Sequence, residues 1–153
     1  MKILFVYSVQ VDPKNKKPLT KQIQMSFGIS YIASYLKSRG HSVSLVVLNR
    51  EQGVNKSELL IDKSIRQFAP DLVCFTSVFT EYSFIVAIAS HVKRFYPDLY
   101  LVIGGCHVSL NPDTVDLNIF DALCIGEGEF AIDELVSQLE KGKYPADIPN
   151  LWI

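Results

Sequence analysis

Two adjacent glycines, Gly104 and Gly105, follow a short apolar run that ends at Ile103. Glycine has no Cβ atom, so a pair of glycines suits either a tight turn or a place where a flat ligand lies against the backbone. Because one glycine often suffices for a turn, the pair favours close approach of a ligand. Cys106 and His107 come next and join this candidate site, although either side chain alone is more often packed or exposed than a metal ligand.

A second glycine-bearing turn, Gly126-Glu127-Gly128-Glu129-Phe130-Ala131, formally matches the Gly-x-Gly-x-x-Ala pattern of dinucleotide-binding folds. It follows the last apolar run instead of the first, and its two glutamates would repel a pyrophosphate at a helix N-terminus. The carboxylates can instead accept hydrogen bonds from hydroxyls or amides of a ligand. Gly126, Glu127 and Gly128 are therefore candidate contacts for a ligand other than a dinucleotide.

Polar residues also follow the third apolar run of the chain, which ends at Thr76. We expect Thr80 or Ser83 to cap the next helix, as hydroxyls in this position commonly do. Ser77 is explained equally well as a ligand contact and as a structural residue. Thr76, Ser77 and Val78 are included in the candidate site.

The three cysteines, Cys74, Cys106 and Cys124, lie far apart in the chain. Their number and spacing suit neither disulfides nor a metal or iron–sulfur site, so reduced thiols in a cytoplasmic protein are expected. A small enzyme with Ser77 or Cys106 as its nucleophile is a weaker interpretation, because no base is placed beside either residue.

Five short apolar runs, at 3–7, 43–48, 72–76, 100–103 and 122–125, alternate with segments of helical period. Runs that are apolar almost throughout are typical of parallel strands covered on both faces. They predict an α/β fold, a doubly wound five-stranded parallel sheet with flavodoxin-like (Rossmann-like) order 2-1-3-4-5. Asn55 and Glu58 are predicted to form a capping box for the second helix, and Asn111-Pro112 to open a short helix before the fifth strand.

Ligands of open parallel sheets bind beyond the carboxyl ends of the strands, and this rule brings all the candidate residues to one edge. The loop after the first strand, Ser8 to Ser26, reaches the same edge and is long enough to be functional. It is either a solvated basic loop or a flap that meets an anionic group or a partner. Its lysines are Lys14, Lys16, Lys17 and Lys21.

Composition excludes several classes of protein. The chain is 48% hydrophobic and 20% charged, which is typical of a globular domain. No apolar run approaches the ~20 residues of a membrane span, so no membrane association is expected. A formal net charge of −1 argues against a nucleic-acid groove.

Three common occupants of such a sheet do not fit. A phospho-receiver domain needs an aspartate at the end of strand 3, where this chain has Phe75-Thr76-Ser77. A flavodoxin needs a glycine- and hydroxyl-rich phosphate loop after strand 1, and residues 8–12 contain no glycine. A nucleotide hydrolase needs a phosphate loop ending in Gly-Lys-Ser/Thr, which the chain lacks.

Five short motifs are spread along nearly the whole chain: Phe27-Gly28-Ile29-Ser30-Tyr31-Ile32-Ala33-Ser34-Tyr35-Leu36, Arg39-Gly40-His41-Ser42-Val43, Pro70-Asp71-Leu72-Val73, Ile103-Gly104-Gly105-Cys106-His107 and Ile125-Gly126-Glu127-Gly128-Glu129. Each motif is weak alone. As an ordered set they resemble the N-terminal cobalamin (vitamin B12)-binding domain of cobalamin-dependent radical SAM enzymes.

The resemblance implies a cobalamin over the carboxyl edge of the sheet, with its dimethylbenzimidazole tail tucked into the domain. Thr76 to Val78 correspond to the segment that lines the tail or the corrin ring. Gly104 and Gly105 match the glycines that let the tail pass, and Gly126 to Glu129 match the acidic turn beside it.

One departure concerns the cobalt. Methionine-synthase-type cobalamin domains carry Asp-x-His-x-x-Gly after strand 1, and its histidine is the lower ligand of the metal. The loop Ser8 to Ser26 has no histidine, and Asp12 is followed by Pro13-Lys14. We therefore expect tail-displaced ("base-off") cobalamin with no protein histidine on the metal.

A second departure concerns the partner domain. We expect residues 1–142 to form the cobalamin-binding domain and residues 143–153 to be a linker or strap towards a C-terminal radical SAM domain. The chain lacks that domain's Cys-x3-Cys-x2-Cys motif, so S-adenosylmethionine and an iron–sulfur cluster would belong to the absent partner domain.

The resemblance implies that the full-length protein is a methyltransferase or a related enzyme such as an oxidative cyclase. The fragment alone is expected to be non-catalytic, because the cofactor carries the chemistry and its catalytic partner is elsewhere. The alternative is a cofactor-free flavodoxin-like domain that acts as a protein-interaction platform.

Overall fold

The computed structural model describes residues 1–11 and 26–153, which form a six-stranded sheet with helices on both faces. The strands lie in the order β2-β1-β3-β4-β5-β6. Strands β1 to β5 are parallel, and β6 runs antiparallel to β5. The strands are β1 (Lys2–Val9), β2 (Ser42–Asn49), β3 (Leu72–Thr76), β4 (Tyr100–Gly104), β5 (Ala122–Cys124) and β6 (Leu151–Trp152).

Five α-helices and three short 3-10 helices connect these strands within the described residues. The α-helices are α1 (Phe27–Ser38), α2 (Val54–Phe68), α3 (Tyr82–Phe95), α4 (Cys106–Leu110) and α5 (Glu129–Glu140). The 3-10 helices are Arg50–Gln52, Phe79–Glu81 and Pro112–Thr114. In this part of the chain no helix is both long enough and apolar enough to span a membrane.

Alternate residues of β1 contribute to two separate hydrophobic cores, because successive side chains of a strand point to opposite faces. Leu4 and Val6 pack with α2 and α3 on one face of the sheet. Ile3 and Phe5 pack with α1 and α5 on the other. The predicted doubly wound parallel sheet with strand order 2-1-3-4-5 is confirmed for β1 to β5.

Strand β6 was not predicted from the sequence. Leu151 pairs with Cys124, and Trp152 pairs with Leu123. Ile148 is buried ahead of the strand. Two residues are too few to show a strand period, so no periodic signal predicts this strand. The C-terminal segment thus packs on the domain, and its role as a linker to another domain stays a prediction.

The predicted capping box at the start of α2 is wrong. Gly53 is the N-cap residue, with φ of 82°, and Asn55 already lies inside the helix. Glu58 faces α3 instead, where its Oε1 atom lies 3.5 Å from Nδ1 of His91. By contrast, Asn111 does precede a short helix that begins with proline, Pro112–Thr114, as predicted.

The predicted cap of the helix after β3 is also wrong, because neither Thr80 nor Ser83 caps it. The 3-10 helix Phe79–Glu81 leads directly into α3, and no side chain caps its N-terminus. The Glu81 amide donates to the Val78 carbonyl at 3.0 Å, so the preceding turn takes over part of the capping role.

Candidate cofactor site at the carboxyl edge of the sheet

A cavity of about 650 Å³ lies at the carboxyl ends of β1 and β3, and we call it the edge cavity. Residues 7–10 at the end of β1 form one wall. Thr76 to Val78, with Thr80 and Glu81, form the segment after β3. Gly105 and Cys106 contribute from the turn after β4, so three neighbouring strand ends meet at this cavity, as expected for an open parallel sheet.

A narrower cavity of about 130 Å³, which we call the slot, runs from the same edge between α1 and the ends of the strands. It shares four lining residues with the edge cavity: Ser26, Gly28, Thr76 and Gly105. Ile29, Ile32 and Cys124 make its wall largely apolar, and the turn 126–129 lies along it. The two cavities therefore adjoin, and the edge cavity is the broader of the two.

Ser77 lines the edge cavity, and its hydroxyl has no hydrogen-bond partner among the described residues. The residue is 4% exposed. Its backbone is satisfied, since its amide donates to the Gly104 carbonyl at 3.1 Å and its carbonyl accepts from the His107 amide at 3.3 Å. Buried polar groups in proteins nearly always have a partner, so the lone hydroxyl indicates a ligand that supplies one.

Gly105 brings the turn after β4 against the segment after β3. Its φ is +99°, a conformation that side chains disfavour. A Cβ atom there would lie 2.5 Å from Thr76 Oγ1 and 2.6 Å from the Ser77 carbonyl oxygen. Any other residue would push these backbone segments apart and disturb the region where the two cavities meet.

Two more glycines keep the slot open. A Cβ atom on Gly128 would lie 2.8 Å from Cδ1 of Ile32 and 3.3 Å from Sγ of Cys124. A Cβ atom on Gly104 would lie 3.3 Å from the Cys124 carbonyl oxygen. Side chains at these positions would fill the space between β4, β5 and α1 that forms the slot.

The acidic turn after β5 is fixed from two sides. The Gly126 amide donates to Ser109 Oγ at 2.9 Å, which ties the turn to α4. Asn150 Nδ2 donates to the Glu127 carbonyl at 3.3 Å, and the Ile125 amide donates to the Asn150 carbonyl at 2.8 Å. The C-terminal segment therefore supports a wall of the slot.

The cysteines lie in contrasting environments. Cys106 is exposed and lines the edge cavity. Cys124 lines the slot, where burial, followed by the charges of Glu129 and Glu127, raises the pKa of its thiol to about 11. Burial also raises the pKa of Cys74, far above the ordinary range of a thiol. The two buried thiols are therefore neutral and unreactive near neutral pH.

His107 is the candidate residue that lines neither cavity as the described residues define them. Its ring packs against Tyr82, with 4.2 Å between ring centroids, and against Phe79 at 5.8 Å. Its Nε2 atom lies 3.3 Å from Thr114 Oγ1, whereas its Nδ1 atom is buried and has no partner in the part of the chain that the structure describes. The side chain belongs to the packing beneath α4.

The structure brings the other nine candidates to the two cavities. These residues are Thr76, Ser77, Val78, Gly104, Gly105, Cys106, Gly126, Glu127 and Gly128. It adds Ser8, Ser26, Gly28 and Glu81, which the sequence analysis did not select as site residues. Gly28 was visible within the motif at 27–36. The lysines of the predicted flap, Lys14, Lys16, Lys17 and Lys21, lie outside the described residues.

Within residues 1–11 and 26–153, no group of three or more His, Cys, Asp or Glu residues is arranged to hold a metal ion. The residues at the two cavities instead fit a large organic cofactor, and the fit rests on two features. Ser77 offers a buried hydroxyl without a partner, and Gly105 and Gly128 leave close approaches that a side chain would fill.

The B12 binding domain family model matches residues 20–136 of the chain. This match covers most of the chain and includes β2 to β5 and the whole slot-forming turn. The chain therefore belongs to the B12 binding domain family. Vitamin B12 is cobalamin, so the predicted fold class and the predicted cofactor agree with the family.

Curated relatives include an uncharacterized methyltransferase of Pyrococcus horikoshii, 29% identical over 120 residues. The match covers 76% of this chain and 25% of the relative. An anaerobic magnesium-protoporphyrin IX monomethyl ester cyclase of Rubrivivax gelatinosus is 26% identical over 121 residues, covering 78% of this chain and 21% of the cyclase. The chain thus spans about a quarter of the length of these relatives.

Among solved structures, the radical S-adenosylmethionine methyltransferase TsrM of Kitasatospora setae, with cobalamin and a 4Fe-4S cluster bound, has the same fold. Its TM-score to this chain is 0.78 at 20% identity. The similarity covers 98% of this chain and 26% of TsrM.

Proposed function

We propose that this chain binds cobalamin at the carboxyl edge of its sheet, with the corrin ring at the edge cavity and the nucleotide tail in the slot. The observation that carries the proposal is the Ser77 hydroxyl, which is buried and has no partner among the described residues, in a residue that lines the edge cavity. The family match supplies the identity of the ligand. The difference in size between the two cavities supports placing the corrin ring at the larger edge cavity and the tail in the smaller slot.

The slot suits the dimethylbenzimidazole tail because its walls are apolar and its glycines allow a flat ring system to lie against the backbone. Ile29 and Ile32 contribute one wall from α1, and Cys124 contributes from β5. Gly104, Gly105 and Gly128 leave out the side chains that would close it. Glu127 lies at the edge of the slot, where it can accept hydrogen bonds from hydroxyls of the tail.

We further propose that no protein histidine binds the cobalt and that the cofactor is bound base-off. The chain has three histidines, and none lines either cavity as described. His41 Nδ1 lies 3.3 Å from the N-terminal nitrogen, at the opposite edge of the sheet. His91 lies between α2 and α3, 3.0 Å from Asp62, and His107 packs against Tyr82.

Bound cobalamin would supply a cobalt centre able to carry a methyl group, and the protein residues would bind, orient and shield it. Ser77 would hold the cofactor by a hydrogen bond, and the apolar slot would keep water from the tail. The thiols beside it stay protonated, since burial raises the pKa of Cys124 to about 11.

We propose that the full-length protein joins this domain to a radical SAM domain, as a methyltransferase or a related enzyme such as a cyclase. Three points support this. The chain spans about a quarter of its curated relatives, one named a methyltransferase and the other a cyclase. TsrM is a radical S-adenosylmethionine methyltransferase with a bound cluster, and it contains a domain of this fold. The chain itself has no cysteine cluster motif.

The base-off proposal is tested by electron paramagnetic resonance of the purified chain loaded with cob(II)alamin. We expect a spectrum without the nitrogen splitting that free base-on cob(II)alamin shows at neutral pH. The variants His41→Gln, His91→Gln and His107→Phe should leave this spectrum unchanged. Nitrogen splitting in the wild-type chain that disappears in one of these variants would assign a histidine ligand and overturn the proposal.

A further inference from the structure

A hydrogen-bonded cluster of Ser8, Arg50 and Glu81 joins the ends of β1, β2 and β3 beside the edge cavity. The Ser8 hydroxyl donates to Oε2 of Glu81. Arg50 Nη1 lies 3.4 Å from Oε1 of Glu81 and also donates to the Thr80 carbonyl. The Glu81 side chain is only 14% exposed, so this carboxylate is fixed in a largely desolvated position.

Glu81 is the charged residue among the described residues that line the edge cavity. Arg50 contacts it from outside this lining. Arg50 also donates to Gln10 Oε1 at 3.4 Å, which helps to fix the guanidinium. Because Glu81 lines the edge cavity and Arg50 does not, the ion pair presents its carboxylate to a ligand.

The carboxylate has acceptor capacity left for a ligand. Two carboxylate oxygens offer about four lone-pair directions, and Ser8 and Arg50 use one on each oxygen. The remaining directions suit an uncharged group with N–H donors. A ligand carboxylate would instead be repelled, because the partly buried position weakens solvent screening.

We propose that Glu81 recognises the primary amides on the rim of the corrin ring by accepting a hydrogen bond from one of them. This inference rests on the proposed binding of cobalamin and adds to it a specificity-determining residue. Cobalamin carries acetamide and propionamide side chains around its ring, so amide donors face any wall that encloses the ring. Glu81 then selects the amide form of the cofactor over forms in which a rim amide is hydrolysed to an acid.

A purely structural role of Glu81 can be distinguished by experiment from a role in recognising the amides of the corrin ring. Val11, just after β1, is held independently by Asn49, whose Oδ1 accepts from the Val11 amide at 3.2 Å and whose Nδ2 donates to the Val11 carbonyl at 2.9 Å. Glu81→Gln keeps an acceptor oxygen for Arg50, and its amide nitrogen can donate to the Ser8 hydroxyl, which is also able to accept, so the variant should preserve the cluster while removing the charge. Glu51→Gln is the matched control, because Glu51 is an exposed neighbour that bonds Gln10 at 2.7 Å and lines neither cavity.

The test measures the affinity of wild-type chain, Glu81→Gln and Glu51→Gln for cobalamin and for its separate monocarboxylic acids, by fluorescence quenching of Trp152 or by calorimetry. The affinity of the wild-type chain for at least one acid isomer should be lower than its affinity for cobalamin by about tenfold or more. Glu81→Gln should reduce that ratio to about one or reverse it, and Glu51→Gln should leave it unchanged.

The outcomes separate the two proposals. If cobalamin does not bind, the proposed function fails and this inference fails with it. If cobalamin binds but every acid isomer binds equally well to the wild-type chain, only the role of Glu81 is overturned. An equal change of the ratio in Glu81→Gln and Glu51→Gln would also overturn it, because the effect would then come from general charge.

Discussion

The backbone of Gly105 lies so close to Ser77 that a Cβ atom on Gly105 would stand 2.6 Å from the Ser77 carbonyl oxygen and 3.0 Å from its amide nitrogen. The same two segments are joined by hydrogen bonds, one from the Ser77 amide to Gly104 and one from the His107 amide to Ser77. This contact sets the distance between the ends of β3 and β4. It also holds Ser77 in the wall of the edge cavity.

Replacing Gly105 by alanine should destabilise the protein more than replacing Gly126. Both glycines have positive φ, but a Cβ atom on Gly126 would meet nothing within 4 Å. We expect Gly126→Ala to lower the free energy of unfolding by about 1 kcal/mol from backbone strain alone. Gly105→Ala adds the clash with Ser77 and should cost about 2–3 kcal/mol.

Urea denaturation followed by circular dichroism measures both values. Equal losses of stability in the two variants would mean that the segments after β3 and β4 are not in the close contact described above.

Ser77→Ala should weaken cobalamin binding without lowering the free energy of unfolding. Its hydroxyl is buried without a partner, so removing it should leave the free energy of unfolding unchanged or raise it by up to about 1 kcal/mol. Cobalamin affinity should fall about tenfold, because the hydrogen bond to the cofactor is lost.

Ser57 provides the matched control for Ser77. It is also a buried serine, but its hydroxyl donates to the Gly53 carbonyl at 3.0 Å. Ser57→Ala should lower the free energy of unfolding by about 1 kcal/mol and leave cobalamin affinity unchanged. A Ser77→Ala variant that loses stability but keeps its affinity would show that Ser77 is a structural residue.

Gly128→Val should test the slot separately from the edge cavity, because Gly128 lines only the slot among these two cavities. Even a Cβ atom there would lie 2.8 Å from Cδ1 of Ile32, so the larger side chain narrows the slot. We expect Gly128→Val to weaken the binding of cobalamin by about tenfold or more. Cobinamide, which has the corrin ring but lacks the nucleotide tail, should bind to the variant and to the wild-type chain alike.

Parallel titrations with the two ligands check this, and cobinamide serves as the internal control for correct folding. If both ligands lose affinity equally, the slot does not hold the tail.

Alkylation of the cysteines should report on the occupancy of the edge cavity. At about pH 8 iodoacetamide should modify the exposed Cys106 and spare Cys74 and Cys124. A pKa raised by burial keeps a thiol neutral to higher pH, so Cys124, with a pKa of about 11, should react only as the pH rises towards that value or as the protein unfolds. Bound cobalamin should slow the modification of Cys106.

Peptide mass spectrometry with and without cobalamin measures the rate at each cysteine. Fast native-state modification of Cys124 at about pH 8 would contradict the buried slot wall. A Cys106 rate that cobalamin leaves unchanged would place the cofactor elsewhere.

The fold was predictable because its signals are local. The apolar runs around β1 to β5 are almost free of polar residues, and such runs specify buried parallel strands whatever the rest of the chain does. Gly104 and Gly105 also have a local signature, since only a close backbone approach or a turn requires both. These signals located the edge of the sheet and most of the site.

The remaining features depend on contacts between residues distant in sequence. Glu81 becomes part of the site only because Ser8 and Arg50, which are 73 and 31 residues away, approach it in the folded chain. Strand β6 exists because Leu151 and Trp152 meet β5, and two residues carry no period of their own. His107 was predicted as a site residue because it follows Gly104-Gly105-Cys106 in sequence, but its ring packs against Tyr82.

The most direct test of cobalamin binding is retention of the cofactor. The purified chain is mixed with excess hydroxocobalamin, desalted, and its visible spectrum recorded beside its far-ultraviolet circular dichroism. We predict a coloured protein with about one cobalamin per chain, and less retained by Ser77→Ala and Gly128→Val than by Ser57→Ala. A colourless protein with the circular dichroism of a folded α/β domain would contradict the proposed binding of cobalamin and favour a cofactor-free interaction platform.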